Sequence, residues 1–212
     1  MTITLYFLRH GQTECSRSHA FCGAIDSELT PEGVEMANAF AAAYSSIPWQ
    51  AVYSSPMQRT LSTAKPLCTA IGIQPEQRNG LKEIHYGEWE GKTPELINQE
   101  YHDDYIRWSA DPAWYAPTGG EMAISIASRS MQVIEEIKHL YKSGNILVVT
   151  HKATIRIILC SLLGIDVGRF RYRLGCPVGS VSIVEFTEHG PILQTLADRT
   201  HLDARLRNLP GS

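Results

Sequence analysis

Close to its amino terminus the chain reads Ile3-Thr4-Leu5-Tyr6-Phe7-Leu8-Arg9-His10-Gly11. Residues 3–8 are rich in β-branched and aromatic side chains, which predicts a buried strand. Arg9 and His10 follow at the carboxyl end of that strand, the edge at which open α/β sheets bind ligands. Protonation of a histidine beside a permanent cation is unfavourable, because two positive charges would then lie close together. His10 is therefore predicted to be a neutral nucleophile that faces an anion.

Two later segments place similar side chains after a strand. Residues 51–53 predict a short strand, and the serine before Pro56 predicts the start of a helix. This places Arg59 in the first helical turn, where backbone N–H groups favour anions. Residues 146–150 form a continuous apolar run of the buried parallel type, and His151 follows it directly.

The order of the elements is typical of an α/β protein. Helices are predicted from Pro31 to about Tyr44, Pro56 to about Gly72, about Glu121 to Tyr141 and about Thr154 to Leu163, with antiparallel strands over 181–186 and 192–196. This alternation predicts a three-layer αβα sandwich with a mixed, mostly parallel sheet. Residues 1–212 are expected to form a single domain, with a small helical lid-like insertion at about 92–118. A tail at 198–212 is expected to be ordered through Leu202 and loose beyond it.

A turn-rich segment at 81–91 supplies candidate proton carriers. Glu83, Glu88 and Glu90 lie there beside Trp89, which predicts a loop held by a buried aromatic residue. Spacing alone does not choose among the three carboxylates.

These residue types suit the hydrolysis of a phosphate monoester. The planar fork of arginine matches the equatorial oxygens of a phosphoryl group and stays protonated. A neutral imidazole can form a covalent phosphohistidine, which divides one displacement into two. A carboxylic acid would protonate the departing alkoxide and then activate water as the carboxylate. A second histidine, if protonated, would balance equatorial charge, and no metal or other cofactor is expected.

The chain resembles the histidine phosphatase (phosphoglycerate mutase-like) superfamily from about residue 3 to residue 202. The matching motifs are Arg9-His10-Gly11, the Ser-Ser-Pro-x-x-Arg-Thr block at 54–60, the Glu-Ile-x-x-Gly-x-Trp-Glu-Gly block at 83–91, Gly119-Gly120-Glu121 and Val149-Thr150-His151. The resemblance implies that His10 is the phosphorylated nucleophile and that Arg9, Arg59 and His151 complete the phosphate pocket. It selects Glu83 as the general acid and base.

Within the family the chain looks like a phosphatase rather than a mutase. Gln12 and Thr13 occupy the positions at which the resemblance to mutases would require Glu-Ser. Residues 111–118, which correspond to the mutase segment with an arginine pair, contain no basic residue. The layout is similar to that of metal-independent phosphoserine phosphatases, so L-phosphoserine is the first expectation. Broad-specificity, sugar-phosphate and alpha-ribazole phosphatases remain alternatives. A mutase or transferase, and a catalytically silent phosphate-binding protein, remain open as other classes.

Several positions bear on the substrate. The candidate substrate-binding residues are Ser16, Cys22, Gly23, Tyr86, Lys152 and His201. Ser16 and Cys22 replace amide donors of the family pattern and leave one hydroxyl and one weak thiol donor. Lys152 replaces the usual glycine, and an ammonium there favours a substrate with a carboxylate unless it points to solvent. His201 reaches the substrate only if the tail folds over the pocket.

Composition narrows the partners. A net charge of −3 implies no general attraction to nucleic acid or to an anionic membrane. No bilayer-spanning apolar stretch and no signal peptide is expected, and a homodimer is left open. The five cysteines form an odd set without a C-x-x-C pair, which predicts a reducing, cytoplasmic compartment and no disulfide framework or zinc site.

Overall fold

Residues 2–211, the part of the chain that the computed structural model describes, contain one sheet of six strands. The strands are β1 (Ile3–Arg9), β2 (Trp49–Ser54), β3 (Glu76–Gln77), β4 (Gly144–Thr150), β5 (Val181–Thr187) and β6 (Gly190–Asp198). Their order across the sheet is β3-β2-β4-β1-β5-β6. The strands β3, β2, β4 and β1 are parallel to one another, whereas β5 pairs antiparallel with both β1 and β6. The predicted mixed, mostly parallel sheet is confirmed.

Helices follow most of the strands. They are α1 (Glu14–Arg17), α2 (Pro31–Tyr44), α3 (Gln58–Ile71), α4 (Pro94–Glu100), α5 (His102–Ala110), α6 (Ala123–Leu140), α7 (Lys152–Leu163), α8 (Phe170–Arg173) and α9 (Ala204–Arg207). Short 3-10 turns occur at Asn79–Leu81, Gly87–Trp89 and Val167–Arg169.

Helices cover both faces of the sheet, because successive strand residues point to opposite sides. Leu5 and Phe7 of β1 join a core with α6 and α7, whereas Leu8 joins a second core with α2 and α3. All three side chains are fully buried. The predicted three-layer αβα architecture is therefore confirmed.

Two helices begin at positions that differ from prediction. Helix α3 begins at Gln58 because Met57 keeps an extended backbone, so the turn through Pro56 precedes the helix. Helix α7 begins at Lys152, immediately after His151, which also has extended backbone. Both helix starts therefore lie directly at the carboxyl edge of the sheet.

The predicted lid region is built around aromatic side chains. Trp89 and Trp108 are fully buried and lie 5.3 Å apart between ring centroids, with Phe21 against both. Trp108 belongs to α5, so this cluster joins the insertion to the loop at 83–91. The prediction that a buried aromatic holds that loop is confirmed.

The carboxyl-terminal tail differs from prediction. It was expected to be loose beyond Leu202, yet Leu206 of α9 is buried beside Met36 and Val178. The carbonyl of Pro210 accepts a hydrogen bond from Gln12, and that of Gly211 accepts one from Arg9. The prediction was wrong because Leu206 has an apolar site on α2 to fill.

The cysteines also differ from prediction. Cys15 and Cys22 form a disulfide with a Cα–Cα distance of 6.1 Å, whereas Cys68, Cys160 and Cys176 are free and buried. The expectation of no disulfide was wrong, because the segment after α1 folds back and joins two cysteines that show no motif spacing. The cysteine set therefore no longer argues for a reducing compartment. Among residues 2–211, no helix is long and apolar enough to cross a membrane.

Candidate active site

The carboxyl ends of three parallel strands meet at one pocket. Arg9 pairs with Thr150 across β1 and β4, and the N–H of Ser55 after β2 donates to Val149 of β4. The pocket has a volume of about 270 Å³, and its walls include Arg9, His10, Arg59 and Glu83. The structure therefore brings together the residues that follow the separate strands in the sequence.

His10 is held in one tautomer. Its Nδ1 lies 2.8 Å from the carbonyl oxygen of Gly11, which can only accept, so Nδ1 carries the proton. This leaves the lone pair of Nε2 free for attack. Burial, followed by the charges of Arg59 and Arg9, holds the pKa of His10 well below its usual value. The imidazole is therefore neutral, as the sequence predicts.

His151 is not part of the pocket wall but lies directly against His10. The ring centroids of His10 and His151 are 5.3 Å apart, and His151 is fully buried. Its Nδ1 accepts from Nε of Arg59 at 3.1 Å, so its Nε2 carries the proton and donates to Ser55 Oγ at 2.9 Å. Burial and the charge of Arg59 lower its pKa well below the usual value. His151 is therefore a neutral group that orients Arg59 rather than a second cation.

Arg59 is held by the loop at 23–25. Its two terminal nitrogens donate to the carbonyls of Ile25 and Gly23 at 2.8 and 2.9 Å. That loop is fixed in turn by Glu90, whose carboxylate accepts from the backbone N–H groups of residues 23–25. Glu90 is therefore committed to the loop, and Glu88 is exposed. Of the three candidate carboxylates, Glu83 is the one that lines the pocket.

The carboxylate of Glu83 caps the start of α7. Oε1 accepts from the backbone of Ile84 and from both the N–H and the hydroxyl of Thr154, whereas Oε2 accepts only from Ala153 among the described residues. Oε2 therefore retains a lone pair for proton transfer.

A half-buried ion pair supports the same segment. Arg129 pairs with Glu121 and donates to the carbonyls of Gly80, Lys82 and Glu83. Glu121 is the acidic residue of the Gly-Gly-Glu motif, so that motif acts on the pocket through Arg129.

Arg9 is anchored on one side only. Its Nη1 donates to the carbonyls of Cys176 and Gly211, whereas its Nε is buried without a partner in residues 2–211. Burial lowers the pKa of Arg9 to about 10, so the guanidinium remains charged at neutral pH. An unsatisfied buried donor beside the pocket is suited to an anionic ligand.

The two residues predicted to replace the family's amide donors, Ser16 and Cys22, are bonded to other groups. Ser16 lines the pocket, yet its hydroxyl donates to the carbonyl of Thr13 in a capping box. Cys22 also lines the pocket, but its sulfur is in the disulfide and has no S–H to donate, which corrects the expectation of a thiol donor. Gly23 acts through its carbonyl on Arg59, and a Cβ there would collide with the carbonyl oxygen of Ile84.

The other predicted substrate residues divide between the pocket and a distant site. Tyr86 and Lys152 both line the pocket. His201 packs instead against Phe40 and Tyr44, with centroid distances of 5.7 Å to each, and is not part of the pocket wall. Its predicted place beside the substrate was wrong, because the tail crosses α2 and reaches the site with residues 210 and 211.

Sequence reasoning missed two cations in the pocket wall. Arg156 of α7 and Arg171 of α8 both line it. Arg156 lies four residues after Lys152, a spacing that places both on one helix face, and this signal was available in the sequence. Arg171 lies in a segment with three arginines, and nothing in that pattern separates it from solvated neighbours.

Comparison with known proteins settles the family. Residues 5–199 match the histidine phosphatase superfamily (branch 1). The chain belongs to this family. It is 28% identical over 200 residues to phosphoserine phosphatase 1 of Hydrogenobacter thermophilus, covering 94% of each chain. It is 29% identical over 192 residues to glucosyl-3-phosphoglycerate phosphatase of Mycolicibacterium vanbaalenii, covering 87% of this chain and 84% of the relative.

A solved structure agrees with the fold. Bacillus stearothermophilus YhfR superposes with a TM-score of 0.88 at 26% identity, covering 95% of this chain and all of that chain. The resemblance read from the motifs is thus confirmed. The protein is a histidine acid-type phosphatase, a class of phosphomonoesterases that works without a metal ion.

Proposed function

We propose that this phosphatase hydrolyses a small carboxylated phosphate monoester through a phosphohistidine at His10, with L-phosphoserine as the first candidate substrate. The observation that carries the mechanism is the tautomer of His10. Hydrogen bonding of Nδ1 to Gly11 leaves Nε2 as a neutral nucleophile in a pocket whose wall also contains Arg9 and Arg59. The observation that favours a carboxylated substrate is Lys152, whose ammonium lies in the pocket wall.

The two half-reactions use the same carboxyl group. His10 Nε2 attacks phosphorus and forms a P–N bond while the ester P–O bond breaks, and Glu83 gives its proton to the departing alkoxide. Water then attacks phosphorus and forms a P–O bond while the P–N bond breaks, Glu83 takes a proton from that water, and free phosphate leaves with the neutral imidazole of His10 restored. Arg9 and Arg59 stabilise the charge on the equatorial oxygens throughout. The net reaction is ester plus water to alcohol plus phosphate.

A second candidate substrate class is a phosphoglycerate ester. Among the described residues of the pocket wall, Glu83 is the one carboxylate, so the ammonium of phosphoserine has no separate acidic partner. A phosphoglycerate carries the same carboxylate without that ammonium. The relative named glucosyl-3-phosphoglycerate phosphatase supports testing this class.

The deciding experiment measures phosphate release without added metal. The substrates are L-phosphoserine, 3-phosphoglycerate, glucosyl-3-phosphoglycerate, fructose 6-phosphate and p-nitrophenyl phosphate, with His10→Ala as the control. We expect the carboxylated substrates to have the highest kcat/KM and His10→Ala to abolish turnover on all of them. Comparable slow rates on every substrate would support a broad-specificity enzyme instead. Undiminished turnover by His10→Ala would refute the phosphohistidine mechanism.

A further inference from the structure

Three cations in the pocket wall take no part in the bond-making and bond-breaking steps described above. Lys152 and Arg156 lie one turn apart on α7, and Arg171 lies on α8. Arg9 and Arg59 already supply the two guanidinium groups beside His10. A single phosphate dianion therefore leaves a surplus of positive charge in this wall.

The surplus is not neutralised by the protein. Within residues 2–211, the side chains of Lys152, Arg156 and Arg171 form no salt bridge, and Arg156 Nε and Arg171 Nη1 are buried without hydrogen-bond partners. By contrast, Arg129 meets a carboxylate. Burial, followed by the charges of Arg9 and Arg156, lowers the pKa of Lys152 to about 8. Unpaired donors of one sign held together are destabilising unless an anion joins them.

Aromatic packing fixes the orientation of Arg171. Its guanidinium carbon lies 4.0 Å from the ring centroid of Trp108, which is buried in the aromatic cluster. Stacking covers the face of the guanidinium and leaves its in-plane N–H groups for an acceptor. Arg171 therefore offers a preorganised fork rather than a mobile surface charge.

We propose that Lys152, Arg156 and Arg171 form an anion subsite that binds a carboxylate of the substrate while Arg9 and Arg59 hold the phosphate that is transferred. The proposal rests on the proposed function and identifies the residues that select its substrate. The three cationic side chains favour a substrate with a second anionic group over one with a neutral hydroxyl at the same place, so charge sets the specificity. Lys152, the cation that the sequence analysis singled out, is thus one member of a three-residue site.

Matched substrates isolate the carboxylate. Glycerol 3-phosphate carries a hydroxymethyl group where 3-phosphoglycerate carries the carboxylate, and phosphoethanolamine is phosphoserine without its carboxylate. We expect the wild-type enzyme to favour the carboxylated member of each pair at least tenfold in kcat/KM. Arg156→Gln and Arg171→Gln are each expected to lower that ratio about tenfold, as expected for the loss of a charge-assisted hydrogen bond. Fructose 1,6-bisphosphate against fructose 6-phosphate tests whether a second phosphate substitutes for the carboxylate.

The control is Arg173→Gln. Arg173 lies on α8 two residues after Arg171, is exposed and is not part of the pocket wall. The variant changes the net charge by the same amount, so its substrate ratio should equal that of the wild type. An equal fall in Arg173→Gln would mean that the net charge rather than the subsite acts on the substrate.

A binding measurement separates this proposal from the proposed function. His10→Ala removes the nucleophile, so titration calorimetry gives Kd values for 3-phosphoglycerate and glycerol 3-phosphate without turnover. Equal Kd values, together with equal kcat/KM values in the wild type, would overturn the subsite and leave the phosphatase reaction standing. Absence of hydrolysis on every substrate would overturn the proposed function, and the Kd ratio in His10→Ala and Arg156→Gln/His10→Ala would still decide the subsite.

Discussion

At the level of single residues, hydrogen-bond partners decide what each histidine can do. His10 and His151 are both buried and neutral, yet Nδ1 of His10 donates to a carbonyl whereas Nδ1 of His151 accepts from a guanidinium. His10 therefore presents a free lone pair at Nε2, and His151 presents none to the pocket. The same residue type at two equivalent strand ends thus has two roles.

Lys152 should make kcat/KM for a carboxylated substrate depend on pH, and substitution by arginine should move that dependence to higher pH. Its pKa of about 8 means that the ammonium is lost as the pH rises through that value, which weakens binding of a carboxylate. Because kcat/KM reports ionisations of the free enzyme, we expect an alkaline fall near pH 8 with 3-phosphoglycerate. Lys152→Arg stays protonated and should shift that fall to higher pH. An unchanged profile in Lys152→Arg, measured by phosphate release from pH 6 to 10, would contradict the assignment.

The pair Cys15 and Cys22 shows what residue patterns cannot reveal. Two cysteines separated by seven positions carry no signal of pairing, because the Cα–Cα distance depends on how the intervening segment folds. In contrast, Arg9, His10 and Arg59 could be assigned from sequence, since each lies at the end of a strand, just after it, or in the first turn of a helix at the same sheet edge.

At the level of elements, the start of α7 joins the catalytic and the substrate-binding parts of the pocket. Glu83 accepts from the first N–H groups of this helix, and the same turn carries Lys152. The helix dipole favours the carboxylate at this position. A shift of α7 would therefore move the proton carrier and the proposed anion subsite together.

The Arg129 side chain of α6 is a positioning residue for Glu83. Its bonds to the carbonyls of residues 80, 82 and 83 fix the backbone from which the catalytic carboxylate projects. In Arg129→Gln we expect kcat/KM for 3-phosphoglycerate to fall about tenfold to a hundredfold, because a small misplacement of a catalytic group is costly. The value for p-nitrophenyl phosphate should fall much less, since nitrophenolate leaves without a proton.

The matched control lies on the same helix. Lys138→Gln removes a cation that pairs with Glu135 on the exposed face of α6 and should change neither value. Equal losses on the two substrates in Arg129→Gln would indicate general loss of structure and contradict the positioning role.

Long elements were predictable from sequence, and short or packed ones were not. β1 and β4 could be predicted because both faces of a central parallel strand are apolar. β3 consists of Glu76 and Gln77, which carry no strand signal and pair only because β2 has a free edge there. The order of the tail beyond residue 202 depends on an apolar site on α2, which only the folded chain creates.

At the level of the whole molecule, the carboxyl-terminal segment reaches the carboxyl end of the first strand beside the pocket. Arg9 of the first strand donates to the carbonyl of Gly211, and Gln12 donates to that of Pro210. The carboxyl-terminal segment therefore satisfies donors of the phosphate pocket although His201 itself lies elsewhere. Global folding and the geometry of the site are consequently coupled.

Buried neutral histidines make stability depend on pH. The native pKa values of His10 and His151 lie well below the ordinary value of about 6.5 that the unfolded chain retains. As the pH falls below 6.5, the unfolded chain binds protons that the folded protein excludes, so acid favours unfolding. Both histidines act in the same direction, so the free energy of unfolding should fall as the pH drops from 6.5 to 5.

Urea unfolding at several pH values in this range, without phosphate in the buffer, measures that slope. His10→Gln/His151→Gln replaces both imidazoles by groups that do not titrate and should flatten it, whatever its effect on stability at neutral pH. His189→Gln is the matched control, since His189 is 88% exposed in its side chain and should leave the slope unchanged. Because inorganic phosphate binds the native pocket and not the unfolded chain, adding it should raise stability at each pH. A slope that survives in the double variant would place the acid-sensitive groups outside the active site.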